Sequence, residues 1–270
     1  MDQTSDVLEA PPGDLGQPLL EAVGITKSFG PVKVLHGVDF RVYPGKVTAL
    51  IGDNGAGKST LIKCLAGIHG IDAGAVRFAG KDVTIAGPRD ATDLGIKVVY
   101  QDLALCENLD IVQNMFLGRE LTSRGVLDEH AMEQAARETL ASLSVRTVKS
   151  VRQMVSSLSG GQRQTVAIAK AVLGNSRLVV LDEPTAALGV AQTDQVLQLV
   201  KRLARNGVAV VIISHNMNDV MEVADRVSAM YLGRIAADVP NDDTMTRETL
   251  VQLITSGKAG SLGLTNGVTE

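Results

Sequence analysis

The sequence has no excess of basic residues, no tryptophan and no long apolar run. Its 26 Lys and Arg are outnumbered by 30 Asp and Glu, which gives a formal net charge of −4 at pH 7. This balance excludes a nucleic-acid-binding protein that relies on bulk positive charge. The longest strongly apolar stretches, 178–181 and 208–213, have the length of buried strands and fall far short of the ~20 residues of a membrane-spanning helix. We therefore expect no nucleic-acid partner and no transmembrane segment.

Cysteines and aromatic residues are also scarce. The two cysteines, Cys64 and Cys106, have no second Cys or His at metal-ligand spacing, which argues against both a disulfide framework and a zinc site. Residues 1–6 are acidic and polar, whereas a secretory signal is basic and then apolar, so we expect a cytosolic chain. Aromatic residues make up 3% of the sequence and glycine 27 of its 270 residues. This composition predicts an aliphatic core with many tight turns, as in α/β proteins.

The order of the predicted elements indicates how the chain is organised. Residues 19–255 carry apolar periodicity, whereas 1–18 and 256–270 are rich in Pro, Gly, Ser or Thr and are predicted to be flexible tails. Strand patterns come first, a mostly helical insertion follows at about 102–175, and strands then alternate with helices. Such alternation predicts a parallel sheet with crossover helices. The predicted strands are 20–25, 38–42, 47–51, 178–181 and 208–213, with a hairpin over 74–83, a helix N-cap at Asp128 and a helix C-cap at Asn206-Gly207.

A glycine-rich segment joins the predicted strand 47–51 to a predicted helix at 60–66. It fits the pattern G-x-x-x-x-G-K-[ST] and consists of Gly52, Asp53, Asn54, Gly55, Ala56, Gly57, Lys58 and Ser59, followed by Thr60. The backbone N–H groups of such a loop surround phosphate oxygens, its lysine reaches the β- and γ-phosphates, and its hydroxyl ligates Mg²⁺. A chance match arises in about one chain in a hundred of this composition. The segment therefore predicts a nucleoside triphosphate site.

Two carboxylates follow the buried strand pattern 178–181. Asp182 is suited to holding Mg²⁺ through water, and Glu183 to orienting and deprotonating an attacking water. The alternative is that both side chains cap a following helix, with Pro184 in its first turn. The phosphate-binding segment upstream favours the catalytic interpretation.

A second glycine-bearing turn precedes a helical pattern at 158–162, Leu-Ser-Gly-Gly-Gln. One γ-phosphate does not require two anion-binding turns. Either the second turn serves another ligand, or it completes the nucleotide site of a neighbouring subunit.

Together these segments resemble the Walker A (52–59), signature (158–162) and Walker B (178–183) motifs of the ATP-binding subunits of ABC transporters. The resemblance implies an α/β fold, the P-loop NTPase of ABC type, with a mostly parallel RecA-like core, an antiparallel β-subdomain and an inserted helical subdomain. It also implies ATP and Mg²⁺ as ligands. The implied catalytic residues are Lys58, Gln101, Glu183 and His215; the implied nucleotide-binding residues are Phe29, the segment from Gly52 to Thr60, Ser159, Gly160, Gly161 and Gln162; and the implied metal ligands are Ser59, Gln101 and Asp182.

By the same resemblance, Phe29 would stack on adenine; core packing is the alternative for this side chain. Gln101 would contact Mg²⁺ and the attacking water, and His215 would hold the γ-phosphate and orient Glu183. The other three histidines, His36, His69 and His130, are expected to be ordinary surface or core residues.

Segments 52–55, 102–109, 114–120 and 183–189 resemble the monosaccharide-importing branch of these ATPases. Gly189 stands where the family usually has an Asp, which places the usual route of communication across the dimer in question. Met115, Phe116 and Leu117 form either part of a groove for a permease helix or part of the core. The resemblance implies a homodimer with two ATP sites, integral membrane permease subunits, an external solute-binding protein reached through them, and a position at the cytoplasmic face of the membrane.

Three other functions remain open from the sequence. A non-transporter ABC ATPase that acts as a nucleotide-driven clamp usually carries long inserts, a second unit or metal-cluster cysteines, and none is found. A GTPase switch or nucleotide-binding regulatory module is disfavoured because no Asn-Lys-x-Asp run occurs and because Glu183 and His215 favour turnover. Transport of another small solute is the third alternative, since solute choice lies in other subunits.

Overall fold

The computed structural model describes residues 16–143, 145 and 148–256, so the two predicted tails lie almost entirely outside the described residues. The strands are β1 (Leu20–Phe29), β2 (Val32–Val42), β3 (Val47–Gly52), β4 (Ala73–Phe78), β5 (Lys81–Val83), β6 (Ile96–Val99), β7 (Thr122–Ser123), β8 (Val126–Leu127), β9 (Leu178–Asp182), β10 (Ala209–Ile213), β11 (Arg226–Tyr231) and β12 (Arg234–Pro240). The helices are α1 (Lys58–Leu65), α2 (Pro88–Asp93), α3 (Ile111–Phe116), α4 (Glu129–Ser142), α5 (Gly160–Val172), α6 (Val190–Arg205), α7 (Met217–Val223) and α8 (Arg247–Ser256), with a 3₁₀ turn at Val155–Ser157.

A six-stranded sheet in the order β12-β11-β3-β10-β9-β6 forms the centre of the molecule. Its pairs β11–β3, β3–β10, β10–β9 and β9–β6 are parallel, and only β11–β12 is antiparallel. Strands β3 and β10 are buried along their whole length, because a parallel sheet is covered on both faces. The predicted parallel sheet is confirmed.

Side chains alternate between the two faces of this sheet. In β3, Val47, Ala49 and Ile51 face one apolar cluster with α5 and α6. Leu50 faces a second cluster with α1 and a four-stranded antiparallel sheet in the order β2-β1-β4-β5. The phosphate-binding segment thus begins at a strand fixed on both sides, which sets its position firmly.

The chain between β6 and β9 contains three of the helices. Asp128 caps α4 by accepting a hydrogen bond from the Ala131 N–H at 3.0 Å, which confirms the predicted N-cap. The two-stranded hairpin β7–β8 lies in the same stretch and was not predicted. Met115 and Phe116 are buried, whereas Leu117 is exposed, so the core interpretation holds for the first two.

The alternative interpretation of the two carboxylates, as caps of a helix with Pro184 in its first turn, is wrong. After β9 the chain makes turns, and the next helix, α6, begins at Val190. The two carboxylates therefore do not cap a helix at this point, which removes the structural alternative for them. No helix among the described residues combines the length and the hydropathy needed to cross a membrane.

Candidate nucleotide-binding and hydrolysis site

The carboxyl ends of β3, β6, β9 and β10 meet at one edge of the central sheet. There they enclose a cavity of about 550 Å³. Because the four strands are parallel and adjacent, the loops that follow them lie side by side. The cavity is lined by Gly52, Asp53, Asn54, Lys58, Ser59, Gln101, Asp182, Glu183, Ile213, His215, Met217 and Ile254.

Lys58 opens helix α1 and turns back over the glycine-rich loop. Its Nζ donates to the carbonyl oxygens of Gly52 at 2.8 Å and Asp53 at 3.0 Å. Burial lowers the pKa of the Lys58 ammonium group, while the charge of Glu183 acts most strongly in the opposite direction. The ammonium group lies inside the cavity, where it is suited to meet phosphate oxygens.

Two glycines give this loop its shape. Gly52 has φ +154°, and a Cβ there would lie 2.4 Å from the Met230 carbonyl oxygen. Gly57 has φ +108° and caps α1. A side chain at either position would be strained by the positive φ, and at Gly52 it would also collide with backbone, so the curvature of the loop depends on glycine.

Glu183 and His215 contact each other across the cavity. The Glu183 Oε2 atom lies 2.8 Å from His215 Nδ1. The side chain of Glu183 is 17% exposed and that of His215 is 78% exposed. A carboxylate that faces the cavity and is hydrogen-bonded to an accessible imidazole is suited to accept a proton from water.

The backbone at Glu183 adopts an uncommon conformation, with φ +50°. For a residue other than glycine this conformation costs about 1–3 kcal/mol and occurs often at functional sites. The Glu183 N–H donates to the Ile213 carbonyl at 2.9 Å, which continues the pairing of β9 with β10 by one residue. The carboxylate is thereby turned out of the strand direction and into the cavity.

The donors in the cavity fit Mg²⁺. Ser59, Gln101 and Asp182 line it together, and hydroxyl, amide and carboxylate oxygens are the ligands that this hard cation prefers. Burial, and next the charge of Glu183, raises the pKa of the Asp182 carboxyl, an electrostatic situation that favours a bound cation. Among the described residues no group of three or more His, Cys, Asp or Glu is arranged to hold a metal.

The signature segment, residues 158–162, lies outside the lining of this cavity. Ser159 caps helix α5 in a reciprocal pair with Gln162, whose side-chain Oε1 accepts from the Ser159 N–H at 2.9 Å. Ser159 and Gly160 are exposed, whereas Gly161 is buried. None of these residues is among those that line the cavity. One chain therefore does not bring its own signature segment to its own phosphate loop.

Phe29 ends β1 with 43% of its surface exposed, so the core-packing alternative is wrong. Its ring meets the His69 ring edge-on at 5.1 Å between centroids, and Lys27 Nζ lies 5.5 Å from its centroid. Adenine stacking stays a prediction. His130 is exposed and His36 is half-buried, which agrees with the expectation that they are ordinary surface or core residues. His69 differs from them in its contact with Phe29.

Three cavity residues were not predicted from the sequence: Ile213, Met217 and Ile254. Ile213 ends the apolar strand β10, and Met217 follows His215 by two positions, so proximity along the chain was a usable signal for both. Ile254 comes from α8, which contacts β3, β11 and α7. Only the tertiary packing of α8 brings it to the cavity.

A family model described as ABC transporter matches residues 35–186 of the chain. The chain belongs to the ABC transporter family. It is 46% identical to a fructose import ATP-binding protein of Rhizobium meliloti, over 85% of this chain and 92% of that protein. It is 43% identical to a xylose/arabinose import ATP-binding protein of Sulfolobus acidocaldarius, over 91% and 97% respectively. A ribose import ATP-binding protein of Rubrobacter xylanophilus is 43% identical, but only 46% of its length is matched.

Solved structures of the ABC transporter family agree with the fold. A nucleotide-free ATP-binding cassette has a TM-score of 0.78 and 26% identity, covering 93% of this chain and all of that one. The ADP conformation of a second cassette has a TM-score of 0.76 and 27% identity, covering 92% and 98%. The predicted P-loop fold of ABC type is confirmed, with its parallel core and separate antiparallel sheet.

Proposed function

We propose that the chain is the ATP-hydrolysing subunit of an ABC importer for a monosaccharide. The observation that carries the proposal is the convergence of Lys58, Gln101, Glu183 and His215 on one cavity. The names of the relatives, import ATP-binding proteins for fructose, xylose/arabinose and ribose, support the solute class.

The phosphate loop would bind the nucleotide. Backbone N–H groups from Gly52 to Thr60 meet the phosphate oxygens, and Lys58 exchanges its two carbonyl partners for the β- and γ-phosphates. Phe29 stacks on the adenine ring. Ser59, Gln101 and Asp182 would hold Mg²⁺, which supplies charge neutralisation at the phosphate oxygens when bound.

In the proposed hydrolysis step, Glu183 and His215, which contact each other, have separate roles. The Glu183 carboxylate takes a proton from water as the water oxygen bonds to the γ-phosphorus, and the bond to the oxygen bridging to ADP breaks. His215 orients Glu183 and holds the γ-phosphate. Gln101 orients the water from the opposite side of the cavity.

The exposed signature turn supports a homodimer with two nucleotide sites. Ser159 and Gly160 are exposed at the N-terminus of the 13-residue helix α5, where unpaired N–H groups favour an anion. In the dimer they would meet the γ-phosphate bound by the partner subunit. ATP thus joins the two copies, and hydrolysis releases them.

A groove between α2, β6 and α5 supports permease docking. It has a volume of about 400 Å³ and combines apolar side chains with Lys97, Arg119 and Lys170. Burial, and next the charge of Arg119, lowers the pKa of both lysines. A cytoplasmic segment of a permease with apolar side chains and a carboxylate would complement this surface. The ATPase would then sit at the cytoplasmic face of the membrane and reach the solute-binding protein only through the permease.

Affinity capture from detergent-solubilised native membranes tests the transporter assignment. Tagged wild-type chain should recover an integral membrane protein, and Thr92→Trp, which fills the groove at an exposed lining residue, should not. Thr244→Trp, at an exposed loop position between β12 and α8, is the matched control and should recover it. Recovery of soluble partners alone would contradict the proposal.

A further inference from the structure

Asp219 is a buried carboxylate that the proposed mechanism does not use. It lies in the first turn of α7 and is 5% exposed. Each of its oxygens accepts a separate side-chain hydrogen bond. Thr185 Oγ1 donates to Oδ2 at 2.5 Å, and Asn216 Nδ2 donates to Oδ1 at 2.9 Å.

The two donors belong to the two loops that carry Glu183 and His215. Thr185 follows Glu183 by two positions, and Asn216 follows His215 by one. Asp219 therefore ties together the loop after β9 and the loop after β10, next to the place where Glu183 and His215 make their 2.8 Å contact.

From this geometry we propose that Asp219 is a positioning residue for ATP hydrolysis. Through Thr185 and Asn216 it holds Glu183 and His215 at hydrogen-bond distance from each other. The inference rests on the roles proposed above for those two residues, and it adds Asp219 and Thr185 to the groups that the reaction requires.

Both catalytic side chains need such support from outside. Glu183 has φ +50°, a conformation that persists when the surrounding structure enforces it. The side chain of His215 is 78% exposed, so packing does little to fix it. Its loop is held instead by Asn216, whose N–H donates to Ser214 Oγ at 3.0 Å and whose side chain donates to Asp219.

The hydrogen bonds of Asp219 with Thr185 and Asn216 are better suited to positioning the two loops than to stabilising the fold. A buried carboxylate is costly unless its hydrogen bonds are made, and an apolar side chain often fills such a place at lower cost. A pair of charged hydrogen bonds does, however, fix direction and distance closely. Catalytic groups lose rate when they are misplaced by even about 1 Å.

The test compares three Thr variants by steady-state ATP hydrolysis. Thr185→Val keeps the shape and removes the hydroxyl; we expect kcat to fall roughly 10- to 100-fold while KM for ATP changes by less than about twofold. Thr185→Ser keeps the donor and should retain kcat. Thr48→Val is the matched control, because the Thr48 hydroxyl is fully buried and has no hydrogen-bond partner among the described residues; it should leave kcat unchanged.

Asp219→Ala and Thr185→Val together form a double-mutant cycle that measures whether the two residues act as one unit. If the bond between Asp219 and Thr185 acts as one unit, adding Thr185→Val to Asp219→Ala should lower kcat no further. The inference is overturned if the fold-losses in kcat of the two single variants multiply in the double variant. It is overturned equally if Thr185→Val is less heat-stable but hydrolyses ATP at the wild-type rate. Where Asp219→Ala does not fold, the Val and Ser pair decides alone. If Glu183→Gln itself hydrolyses ATP normally, the proposed function fails and the inference fails with it.

Discussion

At the scale of single residues, we expect turnover to depend most on Glu183, the proposed general base. Glu183→Gln keeps the shape and the contact with His215 but removes the base, so phosphate release should fall roughly 10²- to 10⁴-fold. Nucleotide binding should persist, since Lys58 and the loop remain. Measurement of released phosphate alongside ATP binding separates the two effects. Glu248→Gln, at an exposed position of α8, should hydrolyse ATP like the wild type, and a Glu183→Gln enzyme that does so too would contradict the assignment.

Phe29 gives a second prediction at this scale. Base stacking on an aromatic ring contributes about 1–3 kcal/mol, so Phe29→Ala should weaken ATP binding roughly 5- to 100-fold. Phe29→Tyr should bind ATP with near-normal affinity because the stacking face is kept. Calorimetric titration measures the loss. Val32→Ala, at an apolar position of β2 that is 61% exposed, controls for loss of surface area, and equal effects at both positions would argue against stacking.

The sequence was most informative about residues whose roles depend on nearby sequence. Lys58, Asp182 and Glu183 could be predicted because each directly follows a strand or a glycine-rich turn. The 2.8 Å contact of Glu183 with His215 could not be derived from spacing, because 32 positions of chain and the order of two strands intervene. Ile254 and the pairing of Thr185 with Asp219 were beyond prediction for the same reason, since tertiary packing creates both.

At the scale of elements, the turn from β3 into α1 depends on glycine for stability as well as for binding. Gly52→Ala would place Cβ 2.4 Å from the Met230 carbonyl oxygen, so we expect a loss of about 3 kcal/mol or more in the free energy of unfolding. Gly30→Ala, at φ +56° with open space around it, should cost only about 1–2 kcal/mol. Urea unfolding followed by circular dichroism measures both, since the chain has no tryptophan to report by fluorescence. Equal losses would show that conformation rather than the close contact sets the cost.

Buried strands and capped helix ends could be predicted, whereas an exposed hairpin of two-residue strands could not. The strands at 47–51 and 178–181 and the C-cap at Asn206 agree with β3, β9 and α6 to within a residue, because continuous burial and capping leave a local signature. The hairpin β7–β8 has two residues in each strand and exposed Val126 and Leu127, so no alternation marks it. The helix considered as an alternative at Pro184 does not form, because the chain turns after Glu183 and α6 begins only at Val190.

At the scale of the whole molecule, the separation of the signature turn from the cavity predicts that ATP controls assembly. Glu183→Gln with MgATP should shift from one copy to two in size-exclusion chromatography with light scattering, and EDTA should reverse the shift. Ser159→Arg added to Glu183→Gln should stay at one copy, because the new side chain fills the turn that meets the partner's phosphate. Ser142→Arg, at an exposed end of α4, is the matched control and should still form the dimer. If the molar mass of Glu183→Gln does not change when MgATP is added, the proposal that two copies share each nucleotide site is contradicted.

Strand β6 forms one edge of the central sheet, and among the described strands its partner is β9. The chain leaving it places Tyr100 and Asp102 in the docking groove and Gln101, between them, in the nucleotide cavity. Burial, and next the charge of Asp182, raises the pKa of the Tyr100 hydroxyl. Consecutive Cα atoms are about 3.8 Å apart. In the proposed transporter, a displacement of this groove by the permease would therefore reach the nucleotide cavity across one peptide unit, at an edge of the central sheet.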